Sequence, residues 1–342
     1  MPSASADPAV MDQGSALADQ LDRALAKHLD GRLVAGSLKP LTAGAASRTF
    51  ACRAEIDGRQ ASLILQCAAT EQTSDFVGGL AKRDLARLQS VLHEAGLPVA
   101  RVRCALDADD GLGDGYIMDR VDGETLAPRI LRDEAFAQAR DVMASQCGGI
   151  AARIHAIDPA GLPALNTETA AAQLADLTAT YRRLSSALPV FELAIQWLED
   201  HLPADRPTTL VHGDFRNGNF VVGPDGIRAV LDWELAHLGD PAEDLGWIMV
   251  NSWRFGHREK PVGGFGARAD LVAGYEAAGG RKVDPAVVRF WELFGTFKWG
   301  VMCLFMADQH LSGAVRSVER AAIGRRVSET ELDLLVLLRE GL

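Results

Sequence analysis

The apolar positions change their spacing several times along the chain, and those changes divide it. Leu17, Leu21, Leu25 and Leu29 recur every four residues, one stripe of an amphipathic helix. Beyond Leu33 the period shortens. Arg48 to Ile56 and Gln60 to Gln66 flank Asp57-Gly58, a dipeptide that accepts the positive φ of a tight turn, and predict an antiparallel hairpin. Leu80 to Ala95 returns to a helical period and stops at Gly96, with Pro98 just beyond. A second strand pair is expected around the Asp107–Gly115 turn, ending in apolar Tyr116 to Met118. From Thr125 the texture is helical, with helices expected over 133–157, 169–187, 191–201, 267–278, 285–312, 314–326 and 328–340. One block interrupts it: Thr208 to Leu231 reads strand, loop, strand, turn, strand, with the turn at Pro224-Asp225-Gly226.

This pattern predicts an α+β chain of two lobes. Residues 1–13, small and polar with Pro2 and Pro8, are expected to be a disordered tail; 14–122 form a small β-rich N-lobe and 123–342 a larger helical C-lobe. Length agrees, since a single core stops growing beyond about 250–300 residues. Composition is that of an ordinary globular protein, with 48% apolar and 24% charged residues. The net charge of −11 argues against nucleic acid and anionic membranes as partners. The longest apolar stretch, Leu293 to Ala307, carries Lys298 and falls short of the roughly 18–20 residues a membrane span needs. Five scattered cysteines with no Cys-x-x-Cys pair exclude a disulfide framework and a zinc ribbon. With no secretory signal at the start, a cytoplasmic location is expected.

Chemistry concentrates in Val211-His212-Gly213-Asp214-Phe215-Arg216-Asn217-Gly218-Asn219-Phe220. An acid, Asp214, and an amide five residues on, Asn219, sit in a loop between apolar strands; Asp232-Trp233-Glu234 follows at the end of the next strand. A tight turn joining two strands brings their outer ends together, so Asn219 and Asp232 converge beside Asp214. Oxygen donors gathered in this way suit magnesium, which takes one or two protein ligands and leaves the rest of its shell to water and phosphate. The third group is left to accept a proton from a hydroxyl.

The block resembles the catalytic loop and metal segment of the aminoglycoside phosphotransferase and choline kinase family, relatives of the protein kinases. The resemblance implies a bilobal protein-kinase-like fold and an ATP- and magnesium-dependent transfer of phosphate to a hydroxyl of a small molecule. Asp214 would be the catalytic base, Asn219 and Asp232 the magnesium ligands, and His212, Asp240 and Asp244 supports of the loop. Gly44, Ala45 and Ser47 stand where the family has its glycine-rich nucleotide loop; Met118 and Asp119 lead into the hinge whose backbone meets adenine. His310-Leu311-Ser312-Gly313-Ala314, with Arg316 and Gly324-Arg325-Arg326, is similar to the branch that accompanies acyl-CoA dehydrogenases. That branch implies a hydroxyacyl-CoA acceptor, its phosphates met by C-terminal arginines; an aminoglycoside is the alternative.

One position departs from the family. Where a strand lysine or arginine should meet the nucleotide phosphates, this chain has Gln66, and no lysine lies between Lys39 and Lys82. Either Arg48, Arg53 or Arg83 substitutes, or nucleotide binding is weak, or the chain is a pseudokinase-like module that binds nucleotide or metabolite without transfer. The helix acid that would hold such a cation is expected at Asp84. Gly263-Gly264-Phe265-Gly266, flanked by Arg254, Arg258 and Arg268, reads equally as a lid over the acceptor or as a solvated connection. Trp291, Phe294, Phe297, Trp299, Phe305 and Met306 read as core, with a pocket wall for an apolar acceptor as the alternative.

Overall fold

The computed structural model describes residues 8–41, 47–68, 79–184, 187–204 and 207–339. The chain divides into two compact units: one takes in residues 1–75, 79–94 and 100–121, the other 76–78, 95–99 and 122–342.

The first unit is a sheet with two helices. Helix α1 (Pro8–Leu29) carries the leucine stripe, and Leu21 and Leu25 are fully buried. It begins at Pro8, so residues 8–13, expected in a disordered tail, form its first turns. Strands β1 (Gly31–Leu33), β2 (Lys39–Leu41), β3 (Ser47–Ile56), β4 (Arg59–Ala68), β5 (Val102–Ala105) and β6 (Gly115–Asp119) make one antiparallel sheet in the order β1-β3-β4-β6-β5, with β2 also on β3. Asp57 and Gly58 both take positive φ, 52° and 71°, the geometry of a primed turn matched to the twist of β3 and β4. Alternation does the rest: Leu63, Leu65 and Cys67 on one face join Leu21, Leu25 and Ile117 in the core. Helix α2 (Lys82–Glu94) buries Leu85, Leu88, Gln89 and Leu92.

The second unit is mostly helix: α3 (Ala127–Arg132), α4 (Ala137–His155), α5 (Ala170–Leu184), α6 (Pro189–Asp200), α7 (Ala242–Trp247), α8 (Arg268–Ala277), α9 (Pro285–Leu311), α10 (Val318–Gly324) and α11 (Val327–Arg339). The helix expected over 133–157 runs from Ala137 to His155, and a separate short helix, α3, precedes it; between them Asp133 is extended (ψ 137°) and the carbonyls of Ile130 and Asp133 both accept from the Arg140 guanidinium. The one expected from 314 starts at Val318, where the Ser317 hydroxyl caps the Arg320 N–H, after Gly313 (φ 80°).

Two ribbons interrupt the helices: β8 (Phe220–Gly223) with β9 (Gly226–Val230), and β7 (Thr209–Val211) with β10 (His237–Gly239). Strand β10 was not expected; three residues are too few to show a period. Its pairing of His237 with Val211 sets residues 212–219 and 231–236 side by side. All five cysteines are free. Among the described residues, no helix is long and apolar enough to cross a membrane.

Candidate active site

The loop after β7 turns on Gly213, whose φ of 79° suits glycine and whose Cβ, were there one, would lie 2.4 Å from the Leu235 carbonyl oxygen. That close approach is what lets the two ribbons converge. Asp244 fixes the loop from below. It is fully buried, and its Oδ2 accepts from the His212 N–H at 2.9 Å while Oδ1 accepts from the Gly213 N–H at 3.1 Å. His155 Nε2 lies 3.0 Å from the same carboxylate.

His212 is buried and spans the gap. Its Nδ1 accepts from the Asp214 N–H at 3.1 Å and its Nε2 donates to the Leu231 carbonyl at 2.9 Å. One ring nitrogen accepting and one donating defines a neutral imidazole. Burial enforces this, pushing its pKa below the usual histidine value against the pull of Asp244 and Asp214. The next ring over is Trp233, 4.4 Å away between centroids.

Asp214 therefore arrives in a fixed place, and three donors grip its carboxylate. Arg216 Nε donates to Oδ1 at 2.8 Å, Trp247 Nε1 to Oδ1 at 2.7 Å, and Asn219 Nδ2 to Oδ2 at 2.6 Å. The Asn219 amide nitrogen also donates to the Asp214 carbonyl at 3.0 Å. With its nitrogen committed twice, Asn219 has its Oδ1 as the acceptor a cation would take. The hairpin then does what its spacing predicts: the Leu231 N–H bonds the Asn219 carbonyl at 2.8 Å, so Asp232, the next residue, stands at the same end. Asp232 is exposed and takes a left-handed φ of 64°, a conformation aspartate tolerates better than most side chains. Asp214, Asn219 and Asp232 are thus brought together.

Asp240 lies deeper. Its Oδ1 accepts from the Ala242 N–H at 3.0 Å and its Oδ2 from the Trp291 indole at 3.1 Å, tying the start of α7 to α9. The glycine-rich segment is not a solvated connection. Residues 262–265 are buried, and the Gly263 carbonyl accepts from Asn217 Nδ2 at 2.7 Å, within the 211–220 block. Arg254 and Arg268 converge on buried Glu292, each at 2.8 Å. Arg216, Asn217 and Trp247 escaped the sequence reading; only Trp247's position three residues past Asp244 hinted at it.

In the first unit, Gly44 and Ala45 lie outside the described residues. Ser47 opens β3, and its hydroxyl oxygen accepts from Lys82 Nζ at 2.6 Å. Met118 is half-buried in β6; the Asp119 N–H goes to the Arg101 carbonyl and its carboxylate to Arg103 Nε, at 2.9 and 2.7 Å. Gln66 accepts from the Tyr116 hydroxyl, which in turn accepts from Gln89 Nε2 at 2.6 Å. His28, Asp107 and Asp110 form the one His/Cys/acid cluster of metal-binding dimensions among the described residues. Lys27 already fills it with positive charge, 3.0 Å from Asp110 and 3.1 Å from Asp107.

A cavity of about 460 Å³ opens in the second unit, lined by Glu168, Gln173, Asp176, His237, Phe294 and Lys298 among others. Lys298 connects it to the loop, its ammonium 5.2 Å from the centre of the Trp247 ring whose N–H holds Asp214.

An antiparallel sheet followed by a helical body, with a short acidic loop set between two ribbons, is the architecture of protein-kinase-like phosphotransferases. The chain belongs to the phosphotransferase enzyme family, whose model matches residues 37–285. It is 32% identical over 176 residues to acyl-CoA dehydrogenase family member 10 of Mus musculus, a match covering 47% of this chain and 16% of that protein. The chain thus aligns with only a fraction of that relative's length. Among solved structures it resembles a Ralstonia eutropha protein described as an aminoglycoside phosphotransferase, with a TM-score of 0.74 at 21% identity over 94% of this chain and 98% of that one. Spectinomycin phosphotransferase, solved with ADP and spectinomycin, gives a TM-score of 0.64 at 13% identity, covering 93% and 98%. These two likenesses establish the fold.

Proposed function

We propose that the chain is a magnesium-dependent small-molecule kinase that moves the γ-phosphoryl group of ATP to an alcohol. The observation that carries this reading is the setting of Asp214, a carboxylate fixed by Arg216, Trp247 and Asn219 beside the hairpin end that presents Asn219 and Asp232. The donor set fits a hard cation: one carboxamide oxygen and one exposed carboxylate. Asn219 and Asp232 would hold magnesium, which when bound supplies charge neutralisation on the phosphate oxygens. Phosphoryl transfer passes through a loose transition state, so alignment is the protein's main task. Asp214 orients the acceptor hydroxyl and takes its proton; His212, neutral at both ends, keeps that carboxylate in register with the hairpin. The ADP bound to spectinomycin phosphotransferase supports an adenine nucleotide as donor, with Ser47 and the Met118–Asp119 backbone as its contacts in the first unit.

The 460 Å³ cavity is the acceptor site in this reading. Its wall sets Phe294 and Leu177 beside Glu168, Asp176, His237 and Lys298, the last two paired with Glu243, so it suits an acceptor with an apolar part and a polar part. A hydroxyacyl thioester has both, and the match to an acyl-CoA dehydrogenase relative supports it over an aminoglycoside. The test is a phosphate-transfer screen of wild type and Asp214→Asn against hydroxyacyl-CoAs, aminoglycosides, choline and sugars. The variant should keep MgATP binding while turnover falls roughly 10²–10⁴-fold, the range for a lost general base. Equal turnover by the variant removes Asp214 from the mechanism.

The neutral Gln66–Tyr116–Gln89 chain favours a second reading, a binding module without transfer. Thermal stabilisation by ATP that requires magnesium points to the enzyme; stabilisation by acyl-CoA alone points to the module.

A further inference from the structure

We infer that Lys82 is the cation through which the first unit binds the nucleotide phosphates. The inference rests on the nucleotide reading above and names a residue for it. Phosphate oxygens carry full charge, and charge-assisted hydrogen bonds are about twice as strong as neutral ones, so a site of neutral donors alone holds a triphosphate weakly. Gln66 cannot supply that charge, and its oxygen is committed to Tyr116 in a joint that ties β4, β6 and α2. Arg53 and Arg83 are exposed. Arg48 donates to two backbone carbonyls, those of Ala68 and Leu112, each at 3.4 Å.

Lys82 is placed differently. It opens α2 with its N–H fixed to Asp114 Oδ2 at 2.9 Å, and the residue is only 5% exposed. Its ammonium reaches Ser47 Oγ at 2.6 Å. Ser47 begins β3 and pairs in register with Ala68, which ends β4, two residues along from Gln66. The charge missing from the strand is therefore restored at the end of the same hairpin, from the helix beside it. Arg48 lies one residue from Ser47 and Asp114 at the head of α2, so two cations and one carboxylate share this end. A lysine fixed by a short bond in a largely buried setting is preorganised for an anion, and its ammonium can donate to a phosphate oxygen in exchange for a present partner.

The test uses the wild-type chain and an acyl-phosphate derivative of ATP. An amine touching the phosphates attacks the acyl carbonyl, keeps the acyl group as an amide and releases ATP; peptide mass spectrometry then identifies which of the chain's six lysines is labelled. Lys82 should be labelled, and excess MgATP should prevent it. In parallel, Lys82→Met should weaken ATP and ADP about 10- to 100-fold, the value of a hydrogen bond to a charged group, and leave adenosine affinity unchanged. Lys82→Arg should recover part of the loss. If Lys82→Met also loses adenosine, the fold has suffered and the labelling decides. ATP-sensitive labelling of another lysine, or wild-type ATP affinity in Lys82→Met, overturns the inference and leaves the kinase reading standing. Failure of the wild type to bind MgATP at all removes both.

Discussion

Asp214 owes its orientation to donors of unequal stiffness. The Arg216 side chain is long but is steadied over the Trp253 ring at 4.4 Å. The Trp247 indole is rigid, and it reaches Asp214 from α7, 33 residues away in sequence. Trp247→Phe keeps an aromatic side chain but removes the N–H together with the pyrrole half of the indole, so its stability is measured beside its kinetics. We expect kcat to fall about 10-fold, one hydrogen bond to a charged group, with KM for both substrates little changed; steady-state kinetics checks this, and unchanged kcat would make the bond incidental. At this scale the sequence was partly legible. The proximity of Asp214, Asn219 and Asp232 could be read, because a loop and a hairpin of fixed length encode it locally. Asn217, Trp247 and Lys82 could not be assigned, because their partners lie on other elements and no spacing records them; Arg216 bonds Asp214 two residues away, but in a loop that spacing marks no fixed contact.

Elements pack here by giving up side chains. Helices α4 and α8 meet so closely that a Cβ on Gly148 would lie 2.0 Å from the Leu271 carbonyl oxygen, and one on Gly274 would lie 2.2 Å from that of Ser145. Gly149, the next residue, has nothing nearer than 3.8 Å. The two neighbours therefore make a controlled pair. Gly148→Ala should destabilise by roughly 1–3 kcal/mol or more through overpacking, while Gly149→Ala should be neutral or stabilising by about 0.5–1 kcal/mol, since alanine favours helix. Denaturant unfolding of both variants measures the contrast, and equal stabilities would mean the helices simply move apart. Periodicity revealed most helices and the two hairpins. It missed β10 and the short helices α3 and α7, which at three and six residues are too brief to show a period.

For the whole molecule, the shift of texture near residue 122 was readable because strand and helix periods differ over long stretches, whereas the buried ionic groups that tune stability left no such trace. His237 and Glu243 are the clearest case, buried with Nε2 and Oε2 at 3.1 Å. Burial opposes the charge on His237, but Glu243 overrides it and raises the imidazole to about 9; burial likewise opposes ionisation of Glu243, but His237 and Lys298 hold it down at about 2. A raised histidine pKa stabilises fully below the unfolded value near 6.5 and loses that contribution as pH climbs through about 9. The lowered glutamate pKa contributes above 4.5 and fades toward 2. Melting temperature should therefore be highest between about pH 4.5 and 6.5 as far as this pair is concerned, and decline from pH 6.5 to 9. His237→Gln should flatten the alkaline decline; a variant that keeps the full slope would assign it to other groups.

Helix α9 runs 27 residues, about 40 Å at 1.5 Å per residue. Along it, Trp291 grips Asp240, Glu292 collects two arginines, Gly295 admits the Trp247 ring, and Phe294 and Lys298 face the cavity. An acceptor too bulky for that cavity, where the proposed function seats it, would have to displace the rod, and the rod would carry Trp247 with it. Poor guests should consequently betray themselves as sluggish turnover once bound, and not merely as loose binding.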